Sequence, residues 1–515
     1  MRSMRRVILT IGVLITLAAG HSLVSSQQAT PRGDAVPEGL LSELGKVGGQ
    51  SHPQVHVDGA GTVYRLWLGN SGEQGGDIQL LRSVDGGKSW PSEAVTLDRN
   101  KPKDARSSFP VFAVDPAGRV MLVWRTKYRG KESRKEIQFL ASLDRGVTWH
   151  DEPQVLNQGG GALSGEIAAG GDGGVVVAWY DERSTTPSGG PRSSRTFKIY
   201  VNRSEDFGQS WSSDGTELSG DSAEKDTAEK ERAAKKEGDQ GAAPRRRIPG
   251  FISVLPRVQA DGRGGVFIAW IDNREGRTEV FSRASTDHGK SWGPEINVSR
   301  GALSATNHQI LTDREGGVFL VWSDSRHGAD DVFFARSEDG GKRWTSPTRL
   351  SRRPRGGTVS TFPHMALAPD GRVHVAWQDR RNGRDDIYMN ISADRGKTWL
   401  EQDIRLDRDD AGTGISQTPY VVTRKDGHVA VVWSDDRSGF DRLLLNWSRD
   451  GGRTWLDEEV VVDDTTAAGD LARNGRLAWD QTGGVLHAVW EVWKREGMSI
   501  EKRVEYRRLA LTSDQ

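Results

Sequence analysis

Apolar residues in this chain come in short, unbroken runs, and eight of the runs end in tryptophan. They are Val63 to Trp67, Val120 to Trp124, Val175 to Trp179, Val266 to Trp270, Val318 to Trp322, Val373 to Trp377, Val429 to Trp433 and Val485 to Trp490. Runs this short, preceded by turn residues such as Asp370-Gly371-Arg372, predict strands buried on both faces. Counting back 14 residues from each Trp lands on Pro53, Pro110, Gly165, Pro256, His308, Pro363, Pro419 and Arg476, a column that marks the start of a preceding strand.

A second repeat follows each run except the last. Ser83-Val84-Asp85-Gly86-Gly87-Lys88-Ser89-Trp90 recurs at Ser142 to Trp149, Ser204 to Trp211, Ser285 to Trp292, Ser337 to Trp344, Ser392 to Trp399 and Ser448 to Trp455, keeping Ser, Asp, Gly and Trp in place. The Asp side chain can accept from backbone N–H groups of a tight turn, the Gly tolerates positive φ, and the Trp packs the turn down. Each unit therefore reads as strands A and B, a loop, strand C, the Asp corner and a short strand D. Such a unit cannot bury both faces alone, so the units must stack radially. The expected fold is all-β, a β-propeller of four-stranded blades. Eight B strands predict eight blades; seven, with one irregular terminal unit, is the alternative. The last unit has a candidate strand C at Val504 to Leu511 and no corner, so its outer strand is expected from between Glu38 and Gln50.

Composition adds limits. Among 515 residues, Lys plus Arg and Asp plus Glu both number 71, which gives no global field for nucleic acid or an anionic membrane. Fifteen of the 18 Trp belong to the two columns, so their abundance is architectural. There is no Cys, which excludes disulfides and thiol chemistry. Arg2, Arg5 and Arg6 precede an apolar run from Val7 to Ala19, with small residues at Ala18-Ala19-Gly20. That reads as a signal peptide over 1–20 and a secreted or periplasmic protein, followed by an N-terminal segment over 21–50 and one propeller over 51–515. No later run is long enough to span a bilayer. The spacing from corner Asp to the next column is 50 residues between Asp206 and Pro256, and the surplus, 219–247, is a charged insertion without an apolar stripe.

The corner motif resembles the Asp-box, or BNR repeat, of the sialidase-like superfamily of propellers. The resemblance implies a glycan-recognising protein, with exo-acting glycoside hydrolysis of the exo-α-sialidase type as the alternative and a cell-envelope scaffold as a third reading; it does not settle catalysis. Sialidase chemistry implies three Arg on the substrate carboxylate, the first in an Arg-Ile-Pro motif. Arg247-Ile248-Pro249 has those letters but lies seven residues before the column Pro256, out of register.

Five units carry Trp-x-Asp-x-Arg: Asp181 with Arg183, Asp272 with Arg274, Asp324 with Arg326, Asp379 with Arg381 and Asp435 with Arg437. Five equivalent copies point to bracing, since one substrate needs unlike groups. Units eight, one and two lack the pair and are neighbours in a closed ring. Cations there have no repeat-encoded acid, which nominates Arg125, Lys127, Arg129, Arg476 and Arg495 for an anionic glycan; His308, which breaks the Pro column, joins them. No motif calls for a metal or an organic cofactor, and the expected partner is an anionic carbohydrate, not nucleic acid.

Overall fold

The computed structural model describes residues 41–48 and 51–510, apart from 71–75, 129–133, 158–160, 183–196, 213–214, 221–251, 275, 355–356, 465–468 and 497–498. Among these residues there is no helix, and the strands form eight four-stranded antiparallel sheets. The signal-like segment, Arg247 and the insertion beyond Gly220 lie outside the described residues.

Blades one to seven each run A to D in chain order. Their inner strands are Ser51–Val57, Ala105–Val114, Ala162–Ala169, Ser253–Ala260, Thr306–Thr312, Ser360–Leu367 and Ser416–Thr423. Blade eight contains Leu471–Trp479, Val485–Glu496 and Ser499–Ala510, and its outer strand is Leu41–Gly48, paired from Leu41 opposite Ala510 to Gly48 opposite Arg503. Its third strand begins earlier than the apolar pattern alone indicates, because it pairs along the whole of Val485–Glu496. Inner strands of successive blades touch, and Ser51–Val57 touches Leu471–Trp479, closing the ring.

The second strands in blades three to seven are buried at all seven positions, which is why the sequence shows runs there and no alternation. Each strand's Trp packs into the core of the preceding blade: Trp124 joins Tyr64, Leu66 and Ile78, and Trp433 joins Ala376, Ile387 and Met389.

At the corner of blade six, Asp394 Oδ1 accepts from Ser392 Oγ (2.8 Å) and Thr398 N (2.8 Å), and Oδ2 from Thr398 Oγ1 (2.6 Å). Gly396 has φ +77°, and a Cβ there would lie 2.5 Å from the Phe334 ring of blade five. Trp399 meets the same ring edge-on at 4.9 Å. The corner thus packs onto the blade before it as well as onto its own sheet.

The Pro column marks a backbone feature. In seven blades the inner strand has an irregularity in pairing with a left-handed residue inside it: His52, Phe109, Leu255, Asn307, Phe362, Thr418 and Asn474, with φ from 51° to 63°. The first six immediately precede the column residue. Blade eight corrects the count by one: its second strand carries an extra residue before Trp490, so the column position is Gly475 and Arg476 is the residue after it. Blade three differs too, with the shift between Ala162 and Ser164.

Burial opposes ionisation of Asp394, but the Thr398 and Ser392 hydrogen bonds hold its carboxyl at about 2, below the ordinary 3.8. Asp144, Asp206, Asp339 and Asp450 are also held at about 2. A depressed folded pKa contributes stability that is present above the unfolded value and lost as pH falls through the folded one. Urea midpoints should therefore fall between pH 4 and pH 2. Asp394→Ala should cost about 1 kcal/mol per lost turn bond at pH 7 and show a shallower acid decline. A variant whose midpoints overlay the parent's at every pH would contradict this account of the corner.

Candidate functional site

The face opposite the Asp corners carries the loops from second to third strands and the connections between blades. Its centre is the mouth of the channel bounded by the inner strands. The left-handed residues stand at one level around that mouth because the same register feature places each of them. His52, Leu255 and Phe362 are exposed, and Phe109, Asn307, Thr418 and Asn474 half-buried. In blades six and eight the residue just past the second-strand Trp supports the next blade's left-handed backbone: Gln378 Oε1 accepts from Thr418 N (3.2 Å), and Glu491 Oε1 from His52 N (2.9 Å).

Two residues further along the chain lies a second ring, in which each side chain reaches the inner strand of the next blade. Gln309 exchanges hydrogen bonds with the Met365 backbone, Glu166 pairs with Arg257, and the rings of His364 and Tyr420 lie 4.0 Å apart. Arg476 lies over the Tyr420 ring at 5.0 Å. Burial pushes the Glu166 carboxyl up against the pull of Arg257. Burial also pulls His364 down to about 3, helped by Arg476 and Arg257, so guanidiniums from blades eight and four act on one imidazole of blade six.

The Trp-x-Asp-x-Arg pairs are braces. Asp272, Asp324, Asp379 and Asp435 are at most 1% exposed. Arg274 holds Asp272 (Nε to Oδ1, 2.8 Å) and Glu295 (2.6 Å); Arg381 holds Asp379 and Asp403, both at 2.8 Å; Arg437 holds Asp435 (2.7 Å) and Glu459 (3.1 Å). Glu295, Asp403 and Glu459 then accept from Gly220 N, Arg352 N and Arg408 N of the connection leaving the preceding blade. Arg326 reaches the Ser299 carbonyl of that connection directly, at 2.6 Å. Arg183 lies outside the described residues.

Blades eight, one and two break this pattern. Glu491, 3% exposed, accepts from His52 N, Asn474 Nδ2 (3.0 Å) and Trp493 Nε1 (2.8 Å), taking over the bracing role with a different residue one place earlier. His52 meets Phe109 edge-on at 5.5 Å, and the Arg125 guanidinium lies 4.8 Å from the Phe109 ring while its Nε donates to Ser108 Oγ (2.9 Å). Arg476, His52, Phe109 and Arg125 thus follow one another around three blades. Among the described residues, no carboxylate lies within 4.0 Å of Arg125 or Arg476. Lys127 is exposed at the end of its strand. Arg495 is in the long second strand of blade eight, and its side chain and all of Arg129 lie outside the described set. His308 is not at the mouth: it is 6% exposed, its Nε2 is 3.3 Å from the Ala269 carbonyl, and burial pulls it down to about 3. His52 and Phe109 were missed by sequence reading; their signal is the residue before each column Pro.

An all-β ring of eight blades with Asp corners, symmetric except over three blades, defines a BNR-type propeller. The BNR repeat-like domain matches residues 61–229 and 266–478, well over half of the chain, and the chain belongs to that family. Among curated proteins none matches. Solved structures similar to it include an α-L-arabinanase of Penicillium chrysogenum complexed with arabinobiose (16% identity, 67% of this chain and 92% of that one, TM-score 0.36). Others are an ulvan lyase of polysaccharide lyase family PL25 (9%, 76% and 90%, 0.42) and the sialidase of Trypanosoma rangeli (11%, 90% and 55%, 0.37). Likeness at these levels is silent on ligand and reaction.

Burial lowers the His52 pKa below 6.5, Glu491 opposes that shift, and Arg476 and Lys502 add to it. In an NMR titration the His52 ring should therefore titrate below pH 6.5. Glu491→Gln should move its midpoint further down and Arg476→Ala up. Shifts of the opposite sign would remove these three groups from one site.

Proposed function

We propose that the protein is an exported propeller that binds an acidic glycan at the mouth of its channel, over blades eight, one and two. The observation that carries this reading is the pair of half-buried guanidiniums, Arg125 and Arg476, without carboxylate partners among the described residues, Arg125 against the Phe109 ring that meets His52 and Arg476 near enough to act on His52. A guanidinium shielded from water binds a carboxylate or sulfate bidentately, and the exposed His52 and half-buried Phe109 rings offer faces to sugar C–H groups. Lys127 adds charge at the rim. Export is supported by the basic and apolar N-terminal sequence, and no helix among the described residues is long and apolar enough to cross a membrane.

Binding is favoured over hydrolysis because Glu166 and Glu491, two carboxylates described near this mouth, are engaged. Glu166 is paired with Arg257, and Glu491 accepts three hydrogen bonds. A glycosidase of the two-carboxylate kind needs both groups free to flank the bond, and in the sialidase kind, where a Tyr replaces the carboxylate nucleophile, a Glu must still be free to activate it.

Calorimetric titration of the protein without its first 20 residues should give heat with sialyllactose or oligogalacturonates and none with lactose or neutral oligosaccharides. Losing one charge-assisted bond is about 1.5 to 3 kcal/mol, so Arg476→Ala and Arg125→Ala should each weaken binding at least about tenfold. Arg343→Ala, at an Asp corner and 88% exposed, should leave it unchanged. Equal affinity for neutral sugars would end the acidic reading, and release of free sugar from the panel would replace binding by hydrolysis.

A further inference from the structure

The same three blades differ from the rest in height. In blades three to seven the second strand ends two residues past its Trp; in blade one it runs three past Trp67 to Asn70, in blade two four past Trp124 to Tyr128, and in blade eight six past Trp490 to Glu496. At about 3.3 Å per residue, the blade-eight hairpin stands roughly 13 Å above a regular one. It is ordered by Trp493, which is 8% exposed, donates to Glu491, and takes Lys502 Nζ at 4.0 Å and the Arg473 guanidinium at 5.4 Å from its ring. A raised wall therefore runs along the arc where the repeat-encoded braces are missing.

The charges along this arc are uneven. Arg473 is neutralised by Asp441, and Arg503 by Asp470 and Glu505. Lys502, Arg476, Arg125 and Lys127 have no carboxylate within 4.0 Å among the described residues. In contrast, Arg274, Arg326, Arg381 and Arg437 on the other arc are all paired, and Arg257 is held by Glu166. Glu491 is consumed by three donors. Lys502 and Arg476 lie on blade eight, Arg125 and Lys127 on blade two, and all of blade one stands between them. Sheets packed face to face lie about 10 Å apart, so the two groups of cations are separated by roughly 10 to 20 Å of arc. The interval is floored by His52 and Phe109. His52 is held below its ordinary pKa and adds no charge at neutral pH.

One carboxylate or sulfate can be shared by one guanidinium fork; it cannot reach across a blade. We infer that this site takes an internal stretch of a polyanionic polysaccharide, several sugars long, laid along the wall from blade eight to blade two, and not a single acidic end group. This deepens the proposed reading of the mouth and rests on it. The chain's acidic groups meet Lys502 and Arg476 at one end and Arg125 and Lys127 at the other, with sugar faces on His52 and Phe109 between.

The test is a calorimetric series with oligogalacturonates of one to eight residues and chondroitin sulfate oligosaccharides of two to eight, each at low and high salt. With the parent protein, affinity should rise more than tenfold between the disaccharide and the hexasaccharide and then level off. Lys502→Ala and Lys127→Ala should weaken the hexasaccharide several-fold, leave the disaccharide unchanged, and reduce the salt dependence; Arg476→Ala should weaken both lengths. The melting temperature of Lys127→Ala should match the parent's, because that side chain is exposed, and Lys502→Ala, which also loses its contact with Trp493, is compared at a temperature where both proteins are folded. A disaccharide that binds as tightly as a hexasaccharide, still lost in Arg476→Ala, would overturn the inference and leave acidic recognition standing. Absence of binding to every acidic saccharide would overturn both.

Discussion

Burial of the tryptophan that ends each second strand against the blade before it is the interaction on which the ring depends. Eight such side chains, from Trp67 to Trp490, are essentially inaccessible to water. A Trp buries about 150–250 Å², which at about 25 cal/mol per Å² is on the order of 4–6 kcal/mol per blade joint. A single four-stranded sheet offers nothing to cover that ring, so no blade can be stable alone, and closure satisfies the eighth Trp only if the first and last blades meet. The outer strand supplied by Leu41–Gly48 belongs to the same constraint, since it completes the sheet that covers Trp67 from behind.

Fixing the second strand fixes what its partners can do. In seven blades the inner strand carries an extra residue opposite the Trp, and a left-handed residue takes up the slack. A non-glycine residue at positive φ costs on the order of 1 kcal/mol. The cost is offset by backbone bonds such as Glu491 to His52 N and Gln378 to Thr418 N. The result is a set of side chains all delivered to the channel mouth. A packing requirement deep in each blade joint thereby creates a surface whose residues are free to vary, because their backbone, not their side chain, carries the structural role.

That division explains what could be read from the sequence. The Trp and Asp columns are cooperative packing features repeated seven or eight times, so their spacing yields fold, blade number and corner geometry, and the Asp–Arg pairs can be recognised as braces from repetition alone. The Pro column pointed at the inner strand but hid its meaning: proline fixes the residue after the left-handed turn, and it is the residue before it that faces the mouth. His308 stands out as a departure from Pro, yet it is buried against Ala269, whereas His52 and Phe109 sit in the column's shadow. Arg476 was counted into the wrong ring because one inserted residue before Trp490 shifts the register, and a one-residue slip changes which side chain faces the channel. Ring membership depends on contacts between blades far apart in sequence, such as Glu491 with His52, and no local spacing reports these.

The remaining step concerns why chemistry should sit where symmetry fails. In the regular arc Arg274, Arg381 and Arg437 each hold two carboxylates and Arg326 holds Asp324 and the Ser299 carbonyl, a closed arrangement; opening it to a ligand would strand Asp272 or Asp379 unpaired in the interior, a penalty of several kcal/mol. At the joint of blades eight and one the bracing is done by Glu491, which accepts from the His52 main chain, the Asn474 amide and the Trp493 indole, with no guanidinium involved. Arg125 and Arg476 stand outside the brace positions, half-buried and backed by the Phe109 and Tyr420 rings. The substitution of one carboxylate for an Asp–Arg pair is thus where the ring departs from its self-satisfied pattern, and it is there that the proposed recognition surface lies.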